Sequence, residues 1–199
     1  MTVLHCTRVC LLGLATGFVW WSLAATAAAS IVYLDSDRSS AEFGVRVMWM
    51  FEVEGRFDKV EGLVNVDRFH NRAAVDVRVD AATVQMDDPK REDWVRSAEF
   101  FDVDRYPQIR FVSDPFPLQR LERGGDLAGT LTVRGIAKPI RFTLLPALCD
   151  TPAYGCAVEA EGFIHRSAFG MRSKRALLSD KVRLRFSMYA VAAATRLDR

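Results

Sequence analysis

The clearest pattern of apolar and polar positions in the chain runs from Leu127 to Leu145. Apolar residues and one glycine alternate with small or polar ones, and the alternation resumes after a break: Leu127, Gly129, Leu131 and Val133, then Ile140, Phe142 and Leu144. A period of two is typical of strands with one apolar face. The glycine- and proline-containing stretch Gly135–Pro139 separates the two runs. We therefore predict a β-hairpin with Gly135–Pro139 as its connection.

Short alternating runs of the same kind recur along the chain, with turn residues between them. They lie at Ala41–Phe51, Val60–Asp67, Val75–Val79, Ile109–Phe111, Ala157–His165 and Val182–Met188. Together with the hairpin they predict an all-β fold of about eight strands, an antiparallel barrel or sandwich. Closure into a barrel removes exposed strand edges. The interior of such a barrel is either filled by side chains or holds one small ligand.

Helical structure is predicted in one place. Asp88 and Pro89 form a typical helix start, and Lys90–Ala98 follows with Trp94 and Val95 as its apolar contacts. A helix of this length is unstable alone. It must pack on the sheet or cover an opening.

The first 29 residues have the layout of a cleaved secretory signal peptide. Arg8 precedes a mostly apolar run, and Ala27–Ala29 offers a small-residue cleavage site. An uncleaved membrane anchor is the alternative. We expect residues 30–199 to form one domain. The formal net charge is only +2 and the basic residues are scattered, which gives no reason to expect a nucleic-acid partner.

Two cysteines, Cys149 and Cys156, remain in that domain, seven positions apart. In an exported chain this spacing can close a short loop as a disulfide. A metal pair is the alternative, but no histidine or second cysteine pair lies nearby. We expect a structural disulfide rather than a redox or metal site.

The motifs of common catalytic sites are missing from the sequence. After residue 29 the histidines are His70 and His165, too far apart for a His-x-x-x-His metal pair, and the sequence has no G-x-S-x-G, P-loop or G-x-G-x-x-G segment. The acidic residues around Asp88 are explained by helix capping and the helix dipole. We expect a protein that is not an enzyme and has no metal or cofactor.

The inward-facing candidates form one apolar set. They are Phe43, Val45, Val47, Trp49, Val64, Val66, Val75, Val77, Val79, Ile109, Phe111, Leu131, Val133, Phe142, Leu144, Leu184 and Phe186. Alternation alone does not distinguish a solid core from a lined tunnel. A tunnel would bind an apolar chain through burial of about 0.8 kcal/mol per CH₂.

Four segments resemble the YceI-like polyisoprenoid-binding proteins. They are SAEFFDVDRYPQIRFVS at Ser97–Ser113, GTLTVRGIAKPI at Gly129–Ile140, RSAFGM at Arg166–Met171, and the opening residues Tyr33–Asp35 with Gly55–Phe57. The resemblance implies an exported, periplasmic, lipocalin-like barrel that encloses a long-chain isoprenoid or fatty amphiphile in an apolar lumen, with no catalytic mechanism. It also places Arg166 at the end of a strand, to pair with a ligand phosphate or a buried carboxylate such as Asp35.

Three polar positions depart from the family's usual histidines: Arg38, Val47 and Trp94 stand there. The identity of the lipid head group is therefore open. Two other functions remain as alternatives. One is an enzyme acting on an isoprenoid- or quinone-type lipid through His165, Arg166 and Asp35. The other is a ligand-free barrel that serves an inner-membrane electron-transport protein. The oligomeric state, including a homodimer, is also open.

Overall fold

The computed structural model describes residues 30–48, 50–174 and 176–191. The expected signal peptide and the lumen candidate Trp49 lie outside the described residues. Within the described ranges, no helix has the length and apolar character needed to cross a membrane.

The described chain is almost entirely antiparallel sheet, with two short helices. The strands are β1 Ser30–Tyr33, β2 Ser40–Val47, β3 Phe51–Phe57, β4 Val60–Asp67, β5 Arg72–Asp80, β6 Val84–Met86, β7 Gln108–Ser113, β8 Phe116–Pro117, β9 Gly125–Val133, β10 Ile136–Leu144, β11 Val158–His165 and β12 Leu178–Met188. The helices are α1 Pro89–Arg96 and α2 Arg120–Arg123.

The twelve described strands form eight ribbons, where a ribbon is one continuous stretch of the barrel wall. Four of the ribbons are bent, and each bent ribbon is divided into two strands. β1 pairs with β4 while β2 pairs with β3, so the two strand pairs are halves of one long hairpin bent in the middle. β5 and β6 continue one another across the turn Ala81–Thr83, pairing with β4 and β3. β7 and β8 both pair with β5. The predicted count of about eight therefore holds for ribbons.

The first and last ribbons close the sheet. Each ribbon pairs with the next along the chain, and β12 returns to pair with β2, from Leu178 opposite Val47 to Ser187 opposite Ser40. A bridge between Leu34 and Ala190 extends the closure. The prediction of an antiparallel, lipocalin-like barrel is confirmed. We call the end with α1 and the β2–β3 turn the upper end, and the end with β1 the lower end.

The hairpin β9–β10 is confirmed, but its predicted connection is wrong. The turn is only Arg134–Gly135, with φ values of 51° and 71°. Two residues with positive φ match the right-handed twist of the flanking strands. Ile136–Pro139, predicted as part of the connection, pairs with β9 as regular strand.

The prediction of a single helix is wrong in one respect. α1 forms as predicted, with the Asp88 carboxylate accepting a hydrogen bond from the Lys90 N–H and Pro89 in the first turn. A second helix, α2, lies between β8 and β9, where the sequence analysis predicts no helix. A single helical turn is too short for its apolar residues to show helical periodicity.

Candidate functional site

The upper end of the barrel contains an apolar cavity of about 300 Å³, which we call the upper chamber. Nine of the predicted inward positions line it, together with Arg166: Phe43, Val45, Val47, Val79, Ile109, Leu131, Val133, Leu184 and Phe186. These residues come from different strands, and closure of the barrel places them around one cavity. Their role as ligand contacts remains a prediction.

A second cavity of about 150 Å³, the lower chamber, lies toward the lower end. The predicted positions on its wall are Val64, Val66, Val75, Val77, Phe111, Phe142, Leu144 and Phe186. The described residues that line it include no charged side chain. Phe186 belongs to the walls of both chambers.

Three phenylalanine rings lie where the two chambers meet, and we call them the aromatic belt: Phe111, Phe142 and Phe186. The ring centroids of Phe111 and Phe142 are 5.0 Å apart, and those of Phe142 and Phe186 are 5.1 Å apart. Both pairs are edge-to-face, a favourable arrangement of aromatic quadrupoles. The lumen is therefore divided, and the single open tunnel considered from the sequence does not describe it.

Inward-facing glycines make room for two belt rings. A Cβ at Gly129 would lie 2.8 Å from Cε2 of Phe111, and a Cβ at Gly162 would lie 2.5 Å from Cδ1 of Phe142. Both distances are closer than carbon atoms pack. The missing side chains on β9 and β11 let the rings cross toward the barrel axis.

Helix α1 and the turn after it line the upper chamber. Trp94 and Val95 of α1 reach the cavity together with Phe100 and Phe101. The Trp94 and Phe100 rings meet edge-to-face at 4.6 Å, and Phe101 packs on Phe43 and Phe57 at 5.8 and 5.5 Å. The expectation that α1 covers an opening agrees with this arrangement.

The sequence analysis missed several wall residues because they lie outside long alternating runs. Phe57 ends a strand at a ribbon bend, and Phe100 and Phe101 lie in the turn after α1. Such positions have no periodic signal. The available signal was the family-like segment SAEFF, in which the two phenylalanines stand side by side.

Arg166 is buried, but the predicted pairing with Asp35 is wrong. Its guanidinium donates hydrogen bonds to the backbone carbonyls of Met171, Ser173, Leu178 and Ser179. The Asp35 N–H donates a hydrogen bond to the Tyr189 carbonyl, just beyond the other end of β12. At about 3.3 Å per residue, the strand between Ser179 and Tyr189 spans roughly 30 Å. The arginine therefore holds the 171–179 loop to the upper rim.

The cluster required by the enzyme alternative does not form. The His165 side chain is exposed at the rim, with Nδ1 3.2 Å from Oδ2 of Asp180. Burial alone would raise the pKa of Asp180, but hydrogen bonds from the Ser167 N–H and hydroxyl and the neighbouring His165 hold it below its ordinary value. This group is a rim contact, remote from Asp35. The described chain contains no group of three or more potential metal ligands.

The positions that depart from the family's usual histidines lie at two sites. Val47 and Trp94 both line the upper chamber. The guanidinium of Arg38 lies 3.8 Å above the ring centre of Tyr189, near the lower chamber. The described lining of the upper chamber includes three charged residues, Glu42, Arg91 and Arg166, of which Glu42 has its side chain on the outer face of β2. Of these, Arg91 donates two hydrogen bonds to Asp87, at 2.8 and 3.0 Å.

Cys149 and Cys156 are joined as a disulfide in the structure, with Cα atoms 6.0 Å apart. That separation is normal for a disulfide. The loop they enclose carries Pro152, Ala153 and Tyr154 to the wall of the lower chamber. The disulfide therefore closes a loop that forms part of the wall of the lower chamber.

Comparisons with known proteins agree with this architecture. The YceI-like domain model matches residues 33–190. The chain is 29% identical to Protein YceI of Shigella flexneri over 191 residues, covering 91% of this chain and 96% of the relative. It is 28% identical to UPF0312 protein YE1254 of Yersinia enterocolitica over 190 residues, covering 92% and 97%.

Solved structures show the same fold. BcnA of Burkholderia cenocepacia superposes with a TM-score of 0.65 at 24% identity, over 80% of this chain and 99% of that one. A polyisoprenoid binding domain from Saccharophagus degradans superposes with a TM-score of 0.61 at 14% identity, over 83% and 99%. From the matched residues, the barrel and its apolar lumen, we conclude that this chain belongs to the YceI-like domain family.

Proposed function

We propose that this protein is an exported carrier that encloses the hydrocarbon chain of an isoprenoid or similar amphipathic lipid in its barrel. The observation that carries the proposal is the upper chamber, an apolar cavity inside a closed barrel with few charged residues in its lining. The solved neighbour described as a polyisoprenoid binding domain supports the choice of ligand class. Export to the periplasm rests on the signal-like residues 1–29.

The physical basis of binding is burial of hydrocarbon. Each CH₂ moved from water into the chamber contributes about 0.8 kcal/mol, before the cost of ordering the ligand. The wall offers few polar partners, so selectivity would come from the length and width of the chain. A polar head would remain at the upper end, where the charged groups lie.

The direct test is to identify what the protein carries. Lipids extracted with organic solvent from freshly purified protein are identified by mass spectrometry, with an unrelated exported protein prepared in parallel. We expect a stoichiometric amphiphile with an isoprenoid or fatty chain. Clean protein whose delipidated form takes up neither farnesol nor palmitate would contradict the proposal.

A cavity-filling variant tests the location. Val45 lines the upper chamber and is only partly covered by other side chains, so Val45→Trp places an indole in the empty space. We expect uptake of farnesol to fall about tenfold or more, with the circular dichroism spectrum unchanged. The matched control is Arg46→Trp, one residue along β2 on the exposed face, which should leave uptake unchanged.

A further inference from the structure

The geometry points to the aromatic belt as a floor that limits ligand length: the lipid chain in the upper chamber ends against Phe186, which packs on Phe142. This inference rests on the proposed function and specifies its ligand. The ligand class is a short or medium isoprenoid chain with a polar end, and not a polyisoprenoid that threads the whole barrel.

The belt is built into the strands that form it. Phe142 is 1% exposed and Phe111 is 7% exposed, so both rings are held on all sides. Their places depend on Gly129 and Gly162, where any side chain would collide with the ring. A ring that packs over a glycine on the neighbouring strand has little freedom to swing aside. The division of the lumen therefore follows from the sequence of five strands: β7, β9, β10, β11 and β12.

The volumes on either side of the belt favour a short chain. The upper chamber, at about 300 Å³, is at the small end of the range for ligand pockets, about 300–1,000 Å³. The lower chamber is half as large, at about 150 Å³. Only the two together, with the belt opened, would offer the length that a long polyisoprenoid needs.

The charged groups decide which chamber takes an amphiphile. Arg91 of α1 lies on the wall of the upper chamber, where its half-exposed guanidinium can solvate or hydrogen-bond a polar head group. The described wall of the lower chamber has no charged side chain. An amphiphile with its head at the upper end therefore directs its tail toward the belt.

Phe186 is the belt residue to change, because it borders both chambers and is less buried than its two partners. Phe186→Ala removes the ring and joins the cavities. The assay is native mass spectrometry of delipidated full-length protein mixed with geraniol, farnesol, geranylgeraniol or solanesol. For the wild type we expect solanesol to bind about tenfold or more weakly than farnesol, because its excess chain stays in water. In Phe186→Ala that difference should disappear.

Two neighbours on the same strand provide matched controls. Leu184→Ala enlarges only the upper chamber and Met188→Ala only the lower one, and both leave the belt in place. Both should still discriminate against solanesol. The wild-type length series tests the belt even if Phe186→Ala does not fold.

The outcomes separate the two proposals. Equal binding of farnesol and solanesol by the wild type would overturn the belt as a floor and leave the carrier function standing. Restored solanesol binding in Met188→Ala as well as in Phe186→Ala would also overturn it. If neither a prenol nor palmitate binds, the proposed function itself fails.

Discussion

At the scale of single residues, one ion pair between strands on the outer face of the barrel has both carboxylate oxygens engaged. Arg110 of β7 donates to both carboxylate oxygens of Asp76 on β5, at 2.9 and 2.6 Å. The Asp76 side chain is 19% exposed. The hydrogen bonds and charge of Arg110, with a smaller effect of Arg78, hold the pKa of Asp76 below its ordinary value despite partial burial.

The lowered pKa predicts how stability depends on pH. Since the folded state favours the ionised form of Asp76, the contribution of the pair is complete above the unfolded pKa near 4 and is lost as the pH falls through the lower folded value. Asp76→Asn should reduce the free energy of unfolding at neutral pH by roughly 0.5–1 kcal/mol. The difference from the wild type should shrink below about pH 4. Urea denaturation at several pH values measures both.

A more exposed pair serves as the control for Asp76. Arg141 contacts Asp126 at 2.6 Å, but both side chains are more than half exposed. Asp126→Asn should change stability little at any pH, because water screens the pair. An equal loss in both variants would contradict the argument that burial decides the difference.

At the scale of elements, α1 depends on its N-terminal cap. The Asp88 carboxylate accepts the Lys90 N–H at 2.9 Å. With eight residues the helix has little stability of its own, so it is held by this cap and by the packing of Trp94 and Val95.

Removing the cap should loosen the cover of the upper chamber. Asp88→Ala should cost about 1 kcal/mol, and hydrogen exchange of the Lys90–Arg96 amides should accelerate while that of the barrel strands does not. Bound farnesol should dissociate faster. Asp93→Ala, which removes a highly exposed carboxylate from the same helix, is the control. Uniform acceleration across the sheet would show that the cap acts on the whole fold instead.

At the scale of the whole molecule, the two ends of the barrel are closed by different means. Packing of α1 closes the upper end, and the Cys149–Cys156 loop contributes to the wall of the lower chamber. The aromatic belt lies between them. A substitution at the lower end should therefore have little effect on ligand binding at the upper end.

Replacing both cysteines tests this independence. The double variant Cys149→Ser with Cys156→Ser should lower the free energy of unfolding by about 2 kcal/mol, as expected for a short closed loop. Its affinity for farnesol should stay within about twofold of the wild type, because the upper chamber is separated from the loop by the belt. Thermal unfolding and native mass spectrometry measure the two effects. A large loss of affinity would contradict the separation of the chambers.

The sequence by itself determined which side chains point inward, because a strand sends alternate residues to opposite faces regardless of its neighbours. It also determined the start of α1, through the local preferences of Asp88 and Pro89. Alternation in nearly every strand also indicated an antiparallel barrel or sandwich, and the pairing of β12 with β2 closes it as a barrel.

Only the tertiary structure decided what the inward faces enclose. The separation of the two chambers depends on how Phe111 and Phe142 pack over glycines of neighbouring strands. Such contacts have no periodic signal along the chain. Arg166 likewise donates to backbone carbonyls and does not pair with Asp35. Arg166 bonds to Leu178 at the start of β12, whereas Asp35 bonds to Tyr189 just beyond its end. Alternation specifies a direction for each side chain, whereas the volume left between side chains depends on all the strands at once.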